Sequence, residues 1–190
     1  MIGDMPRILG LDPGSRKTGY GIIEGTWGNL RCVDYGVLRL DTGKPAPSDE
    51  ISALLGEDPS QSVASMTRRM VELYSRVSEV IRSFGIDEVA LERVFVSKNA
   101  DSALKLGHAR GVLLLAVGNA GLPVNEYSPA QVKKCVAGSG RAEKSQMMSI
   151  VPAILGMDRN PPEDAADALA IAMTHAMLGG ERAMYLDSIR

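Results

Sequence analysis

The chain has 190 residues, 45% of them hydrophobic, a formal net charge of −2 and two cysteines. That length and apolar content suit one domain, residues 1–190, with a sizeable core. Cys32 and Cys135 provide neither a disulfide framework nor zinc spacing, no apolar run approaches a membrane span, and MIGDMPR lacks a signal-peptide pattern, so a reduced cytoplasmic protein with no membrane association is expected.

In chain order, residues 7–12, 18–24 and 30–40 read as three strands of a meander, the third alternating Val33, Tyr35 and Val37 with polar or glycine neighbours. The first strand ends on Asp12, and Pro13-Gly14 then turns the chain. Residues 41–61 hold prolines, glycines and a local charge of −4 between Asp41 and Asp58, which reads as an acidic loop insertion, mobile or turned away from any polyanion. Val63 to Phe84 has helical periodicity stopped by Gly85. Residues 86–91 form a fourth strand ending on Glu92, and strand, helix, strand in succession make part of the sheet parallel.

Residues 100–119 form the next helix, in which Ala103, Gly107 and Gly111 recur at intervals of four. Each Gly costs about 1 kcal/mol in a helix interior, so this stripe serves close packing, either on the protein's own sheet or on a second copy. Residues 122–126 are a fifth strand. Ser128-Pro129 caps a helix to Ala137, and residues 143–155 and 163–178 are the last two helices. The fold class is therefore α/β, with a central mixed five-stranded sheet flanked by helices.

Charge is unevenly spread. Arg93 to Arg110 carries a net +3 and Gln131 to Lys144 another +3, so a near-neutral total excludes a uniformly basic coat but leaves two basic stretches. Asp12 and Glu92 both end apolar strands. Asp164 and Asp167 share one face of the helix that Pro161-Pro162 introduces, with Ala165, Ala166 and Ala168 beside them. Acids in a first helical turn also complement the helix dipole, by about 0.3–1 kcal/mol, and Asp is common in turns. Four converging carboxylates, however, repel unless cations lie between them, and hard oxygen donors favour magnesium or manganese, as two ions, for phosphoryl transfer. His175, eight residues or about 12 Å beyond Asp167 along a helix, is too far for the same ion and reads as a packed or solvated histidine.

At this point four collinear segments resemble a known family: LGLDPGSRKTGYGII (9–23), ALERVFVSKNADSALKLGHARG (90–111), EYSPAQVKKCVAGSGRAEKSQ (126–146) and NPPEDAADALAIAMTH (160–175). They are similar to RuvC, the bacterial Holliday junction resolvases, which have an RNase H-like fold. The resemblance implies that Asp12, Glu92, Asp164 and Asp167 are the catalytic, metal-binding acids and that Phe95 stacks on an unpaired base near the crossover, a contact worth about 1–3 kcal/mol. It implies activity roles for Lys133 and Lys144, the latter reaching the scissile phosphate. Lys98, Lys105, Arg110, Lys134 and Arg141 are candidate contacts to the DNA backbone. It further implies a Mg2+ cofactor (Mn2+ substituting), a homodimer suited to a four-way DNA junction, with Ala103, Gly107 and Gly111 as candidate interface, 5′-phosphate products, and RuvA and RuvB as partners.

Three other readings compete. A YqgF-like RNase H-like nuclease acting on RNA shares the first hairpin but does not explain the Phe95 segment. A sugar kinase or ATPase needs two such lobes. A non-cleaving junction-binding module has no need of four acids.

Overall fold

The computed structural model describes residues 5–40, 47–56, 62–93 and 100–188. Five strands form one mixed sheet: β1 (Arg7–Asp12), β2 (Lys17–Thr26), β3 (Asn29–Arg39), β4 (Glu88–Glu92) and β5 (Val124–Tyr127), in the order β3-β2-β1-β4-β5. The first three pair antiparallel as the expected meander, while β4 lies parallel to β1 and β5 parallel to β4. Parallel neighbours need long crossovers. Here α1 (Pro47–Leu54) and α2 (Val63–Phe84) lead from β3 to β4, and α3 (Ala100–Asn119) leads from β4 to β5. Three helices complete the chain: α4 (Pro129–Ala137), α5 (Lys144–Ile154) and α6 (Glu163–Ser188).

The sheet separates two cores. Leu9, Leu11, Ile22, Val89 and Leu91 point towards α2 and α3, whose Leu73, Val77, Ile81, Leu113 and Val117 complete one apolar cluster. Ile8, Ile23 and Ala90 point the other way, towards Leu169, Ile171 and Met173 of α6, with α4 and α5 packed outside it. Successive strand residues face opposite sides. Gly10 and Asp12 therefore share the α6 face with Ile8, and Glu88 and Glu92 share it with Ala90.

The local signals act as expected. Ser62 accepts a hydrogen bond from Ser65 N–H at the start of α2, and Gly85, at φ +58°, ends it in the left-handed region. Ser128 and Gln131 form a reciprocal capping box at α4, with Pro129 in its first turn.

Several boundaries differ: the second strand runs Lys17–Thr26 rather than 18–24 and the fourth Glu88–Glu92 rather than 86–91, and three further differences are larger in consequence. The fifth strand runs Val124–Tyr127 rather than 122–126, so its last residue stands beside Glu92 in register. The last helix continues to Ser188 rather than ending near 178. The expectation of an irregular acidic loop over 41–61 is corrected in its middle, where α1 forms, because Pro47 suits a first helical turn and Gly56, at φ +77°, stops the chain after it. This helix meets α2, on the sheet face opposite α6. The rest of that segment, 41–46 and 57–61, lies outside the described residues.

Candidate active site

Register brings the first two acids together. The β1–β4 pairing includes Leu11↔Leu91, so Asp12 and Glu92 stand one step further at the same end of neighbouring strands and on the same face. The hairpin that holds Asp12 is closed by Thr18, whose hydroxyl donates to the Gly14 carbonyl at 3.1 Å and is itself fully buried.

The other two acids arrive on α6, which lies against β1 and β2 with almost no intervening side chain. A Cβ at Gly19, which pairs with Asp12, would stand 1.9 Å from the Asp164 carbonyl oxygen, and one at Gly10 would stand 2.0 Å from the Ala168 carbonyl oxygen. A side chain at Gly21 would run into Leu169. Bare glycine on the strands and alanine on the helix thus let the first turns of α6 settle directly over Asp12. Ala165, Ala166 and Ala168 are buried there, at most 2% exposed.

The four acids feel one another. Burial first, and then Glu92, Asp167 and Asp164, push the Asp12 carboxyl up to about 7. Burial and Asp167 raise Glu92, and Lys144 opposes the shift. Burial raises Asp167 too, again opposed by Lys144. Lys144, the first residue of α5, reaches across to α6: it is ion-paired with Glu163, and its Nζ is 3.4 Å from Asp167 Oδ2. The Glu163 contact and then Asp167 raise the Lys144 pKa, so its amine stays charged. Beside this pair, Glu92, Asp167, Lys133 and Lys144 line a cleft of about 200 Å³ whose walls are Val132, Met147 and Ile171.

Among the described residues no three acidic, histidine or cysteine side chains are grouped tightly enough to enclose an ion as they stand. The donor chemistry nevertheless fits a hard divalent cation: only carboxylates converge here, and burial together with mutual repulsion drives three of them towards protonation. Lys144 supplies part of the missing positive charge.

The family model "Crossover junction endodeoxyribonuclease RuvC" matches residues 8–57 and 48–175. The chain belongs to the RuvC family. A curated relative of that name from Halorhodospira halophila is 48% identical over 172 residues, covering 90% of each chain. One from Cronobacter sakazakii is 46% identical over 171 residues, covering 90% of this chain and 87% of the relative. The solved structure "T. thermophilus RuvC in complex with Holliday junction substrate" aligns with a TM-score of 0.75 and 33% identity over 92% of this chain and 94% of that one. The fold is therefore RNase H-like, and the protein is an endodeoxyribonuclease of the RuvC family.

Other residues expected to act in this RuvC-family chain are distributed unevenly about the site. Lys133 and Lys144 line the acid cleft, whereas Lys134 and Arg141 are exposed nearby on α4 and on the turn after it. Arg110 is ion-paired with Glu126 of β5, whose other oxygen lies 3.9 Å from Arg93 Nε. Lys105 pairs with Asp101 one turn earlier on α3, at 2.6 Å, and lines a separate groove between α2 and α3. Phe95 and Lys98 lie outside the described residues. The stripe of small residues does not pack on the sheet: Gly107 and Gly111 face outwards, with nothing within 4 Å of where a Cβ would be.

Sequence reasoning missed Glu163 as the ion-pair partner of Lys144. The one available signal was its place at the first position of α6, one turn before Asp167. It also set aside His175, which is buried and bonded on both sides.

Proposed function

We propose that this protein resolves Holliday junctions, cutting two strands of like polarity and leaving 5′-phosphate ends, in DNA recombination and repair. The observation that carries the reading is the convergence of Asp12, Glu92, Asp164 and Asp167 from β1, β4 and α6 at one sheet end, in a family with a Thermus thermophilus member solved on a Holliday junction.

Asp12, Glu92, Asp164 and Asp167 would hold magnesium, with manganese substituting, as two ions per site. Bound there, the metal would supply an activated water and neutralise charge on the phosphate. The chain's own groups bind and orient the strand. Lys144, already a cation poised at Asp167, exchanges its Glu163 contact for a phosphate oxygen, and Lys133 holds a neighbouring phosphate on the cleft's other wall. Lys98, Lys105, Arg110, Lys134 and Arg141 are weaker candidates for backbone contacts, and Phe95 for base stacking.

Lys144→Ala is expected to slow single-turnover junction cleavage by about 10- to 100-fold, the worth of one charge-assisted hydrogen bond at roughly 1.5–3 kcal/mol. Junction affinity measured in calcium should change far less. Equal losses in both would make Lys144 a binding residue only.

The protein works as a homodimer, so that two sites meet a two-fold substrate. The supporting feature is the groove of about 810 Å³ between α2 and α3, where Val63, Val71, Leu104 and Leu115 are each more than half exposed beside Gly107 and Gly111. An apolar surface of this kind usually meets a partner. Leu104→Glu is expected to turn the dimer into a monomer in sedimentation experiments and to abolish paired cutting while the fold persists. A variant that remains dimeric would move the interface elsewhere. Among the described residues no helix is long and apolar enough to cross a membrane, and we place the enzyme in the cytoplasm, acting with RuvA and RuvB.

The deciding experiment is cleavage of a synthetic four-way junction in magnesium against linear duplex and an RNA–DNA hybrid. Symmetric nicks confined to the junction are expected. Cleavage of the hybrid instead would identify another RNase H-like nuclease, and binding without cleavage would leave a junction-gripping protein.

A further inference from the structure

The acids of α6 occupy its first turns, and two turns later the same helix carries a histidine that is 4% exposed. His175 Nδ1 lies 2.7 Å from the Tyr127 hydroxyl on β5, and His175 Nε2 lies 2.5 Å from a Glu88 carboxylate oxygen on β4. One tautomer satisfies both contacts: the Tyr127 O–H donates to Nδ1, and the Nε2–H donates to Glu88. Tyr127 is itself buried, and the surrounding residues of α6, Ile171, Ala172 and Ala176, are apolar. A polar trio in such a place costs stability unless each member satisfies the others. Its geometry is therefore well determined.

The spacing of this trio matches the spacing of the acids. Glu88 and Glu92 are four residues apart on one face of β4, about 13 Å. Asp167 and His175 are eight residues apart on α6, about 12 Å. The helix thus runs antiparallel to β4 and meets it in two rungs. One rung is the bond between His175 and Glu88. The other is the approach of Asp167 to Glu92, which line the same cleft and raise each other's energy as like charges. That second rung tends to open, and α6 is held mainly on β1 and β2 and only lightly on β4 and β5 themselves, so the bond from His175 to Glu88 is a direct tie where direct packing is sparse. Tyr127 ties in the third element, since it pairs with Glu92 in register and its carbonyl accepts from Arg93 N–H at 2.8 Å.

We infer that His175, held by Glu88 and Tyr127, is a positioning residue that fixes the separation of Asp167 from Glu92 and thereby the affinity of the acid cluster for divalent metal. This rests on the metal-binding reading proposed above.

The test is manganese binding by the intact protein without DNA, followed by electron paramagnetic resonance, beside the magnesium dependence of junction cleavage. Glu88 carries the test because its side chain is 39% exposed and tolerates replacement better than the buried histidine. Glu88→Gln keeps an acceptor for the Nε2–H and should bind manganese within about twofold of wild type. Glu88→Leu loses the rung and should bind about tenfold more weakly, in line with the usual effect of removing a group that orients a metal ligand. Its magnesium requirement should rise by the same factor, with cleavage recovering at saturating metal and junction affinity in chelator unchanged. If wild type binds manganese and Glu88→Leu binds it equally well, or if Glu88→Gln loses as much as Glu88→Leu, the positioning role is overturned. If wild type binds no manganese, the metal-site reading itself fails.

Discussion

Asp12→Asn is expected to abolish junction cleavage, by about a thousandfold or more, and at the same time to stabilise the metal-free protein at alkaline pH. The first effect follows from losing one of four carboxylates where metal charge stabilisation is worth several kcal/mol. The second follows from linkage. The folded Asp12 carboxyl has its pKa raised from 3.8 to about 7, by burial first and then by Glu92, Asp167 and Asp164. Between those two values the folded state binds more protons than the unfolded state, so stability falls as pH rises and the loss is complete above about 7. Each pKa unit is worth about 1.4 kcal/mol, which makes the penalty a few kcal/mol. Thermal melting in chelator at pH 5 and pH 8 checks this. The variant should melt slightly above wild type at pH 5, where the unfolded Asp12 is already ionised and part of the penalty has developed, and several degrees higher at pH 8, where it is complete. Magnesium should raise the wild-type melting temperature at pH 8 and shrink the gap. Identical melting of the two proteins at both pH values would mean that Asp12 does not sit among the other acids as described.

That opposition between stability and activity also explains what could be read from the chain. Strand ends and helix starts are local signals, and both apolar runs ending on an acid, together with the Pro-Pro ahead of Asp164, placed all four carboxylates on the correct elements. Parity along β1 and β4 then put Asp12 and Glu92 on one face, which alternation foretells once the register Leu11↔Leu91 is known. Long-range pairings were not legible. Nothing near Lys144 in sequence marks Glu163, nineteen residues on, as its partner. His175 read as a packed or solvated histidine because its partners Glu88 and Tyr127 are 87 and 48 residues away. The α3 stripe was ambiguous for a similar reason: small residues at intervals of four announce a close approach without saying what approaches, and only the outward direction of Gly107 and Gly111 removes the sheet as a candidate. The acidic segment misled because its composition dominated the reading, while a Pro at position 47 and a Gly at position 56 were sufficient to delimit a short helix.

Gly19→Ala is expected to be as damaging to cleavage as loss of a catalytic group, although glycine at this position makes no chemical contact. The added methyl would stand 1.9 Å from the Asp164 carbonyl oxygen and 2.5 Å from its carbon. These are backbone atoms of a helix, so no rotamer change relieves the clash and α6 itself must move by about 1 Å or more. Overpacking of this kind costs about 1–3 kcal/mol of stability, and a displacement of 1 Å at reacting groups costs about a hundredfold in rate. Gly10→Ala meets the Ala168 carbonyl oxygen at 2.0 Å and should destabilise as much, and Gly21→Ala, which meets the Leu169 Cγ at 2.6 Å and the Leu169 backbone nitrogen at 2.8 Å, should destabilise as well, though with a less severe backbone clash. Gly118→Ala on α3, with nothing within 4 Å, is the control and should gain up to about 1 kcal/mol from helix propensity with cleavage unchanged. Melting temperatures and single-turnover rates for the four variants separate the causes. If packing against the sheet alone matters, stability and rate fall together for Gly10→Ala and Gly19→Ala. If the seat of Asp164 over Asp12 matters, as the geometry requires, Gly19→Ala loses far more rate than Gly10→Ala at equal stability, because only its clash falls on the residue that carries a carboxylate.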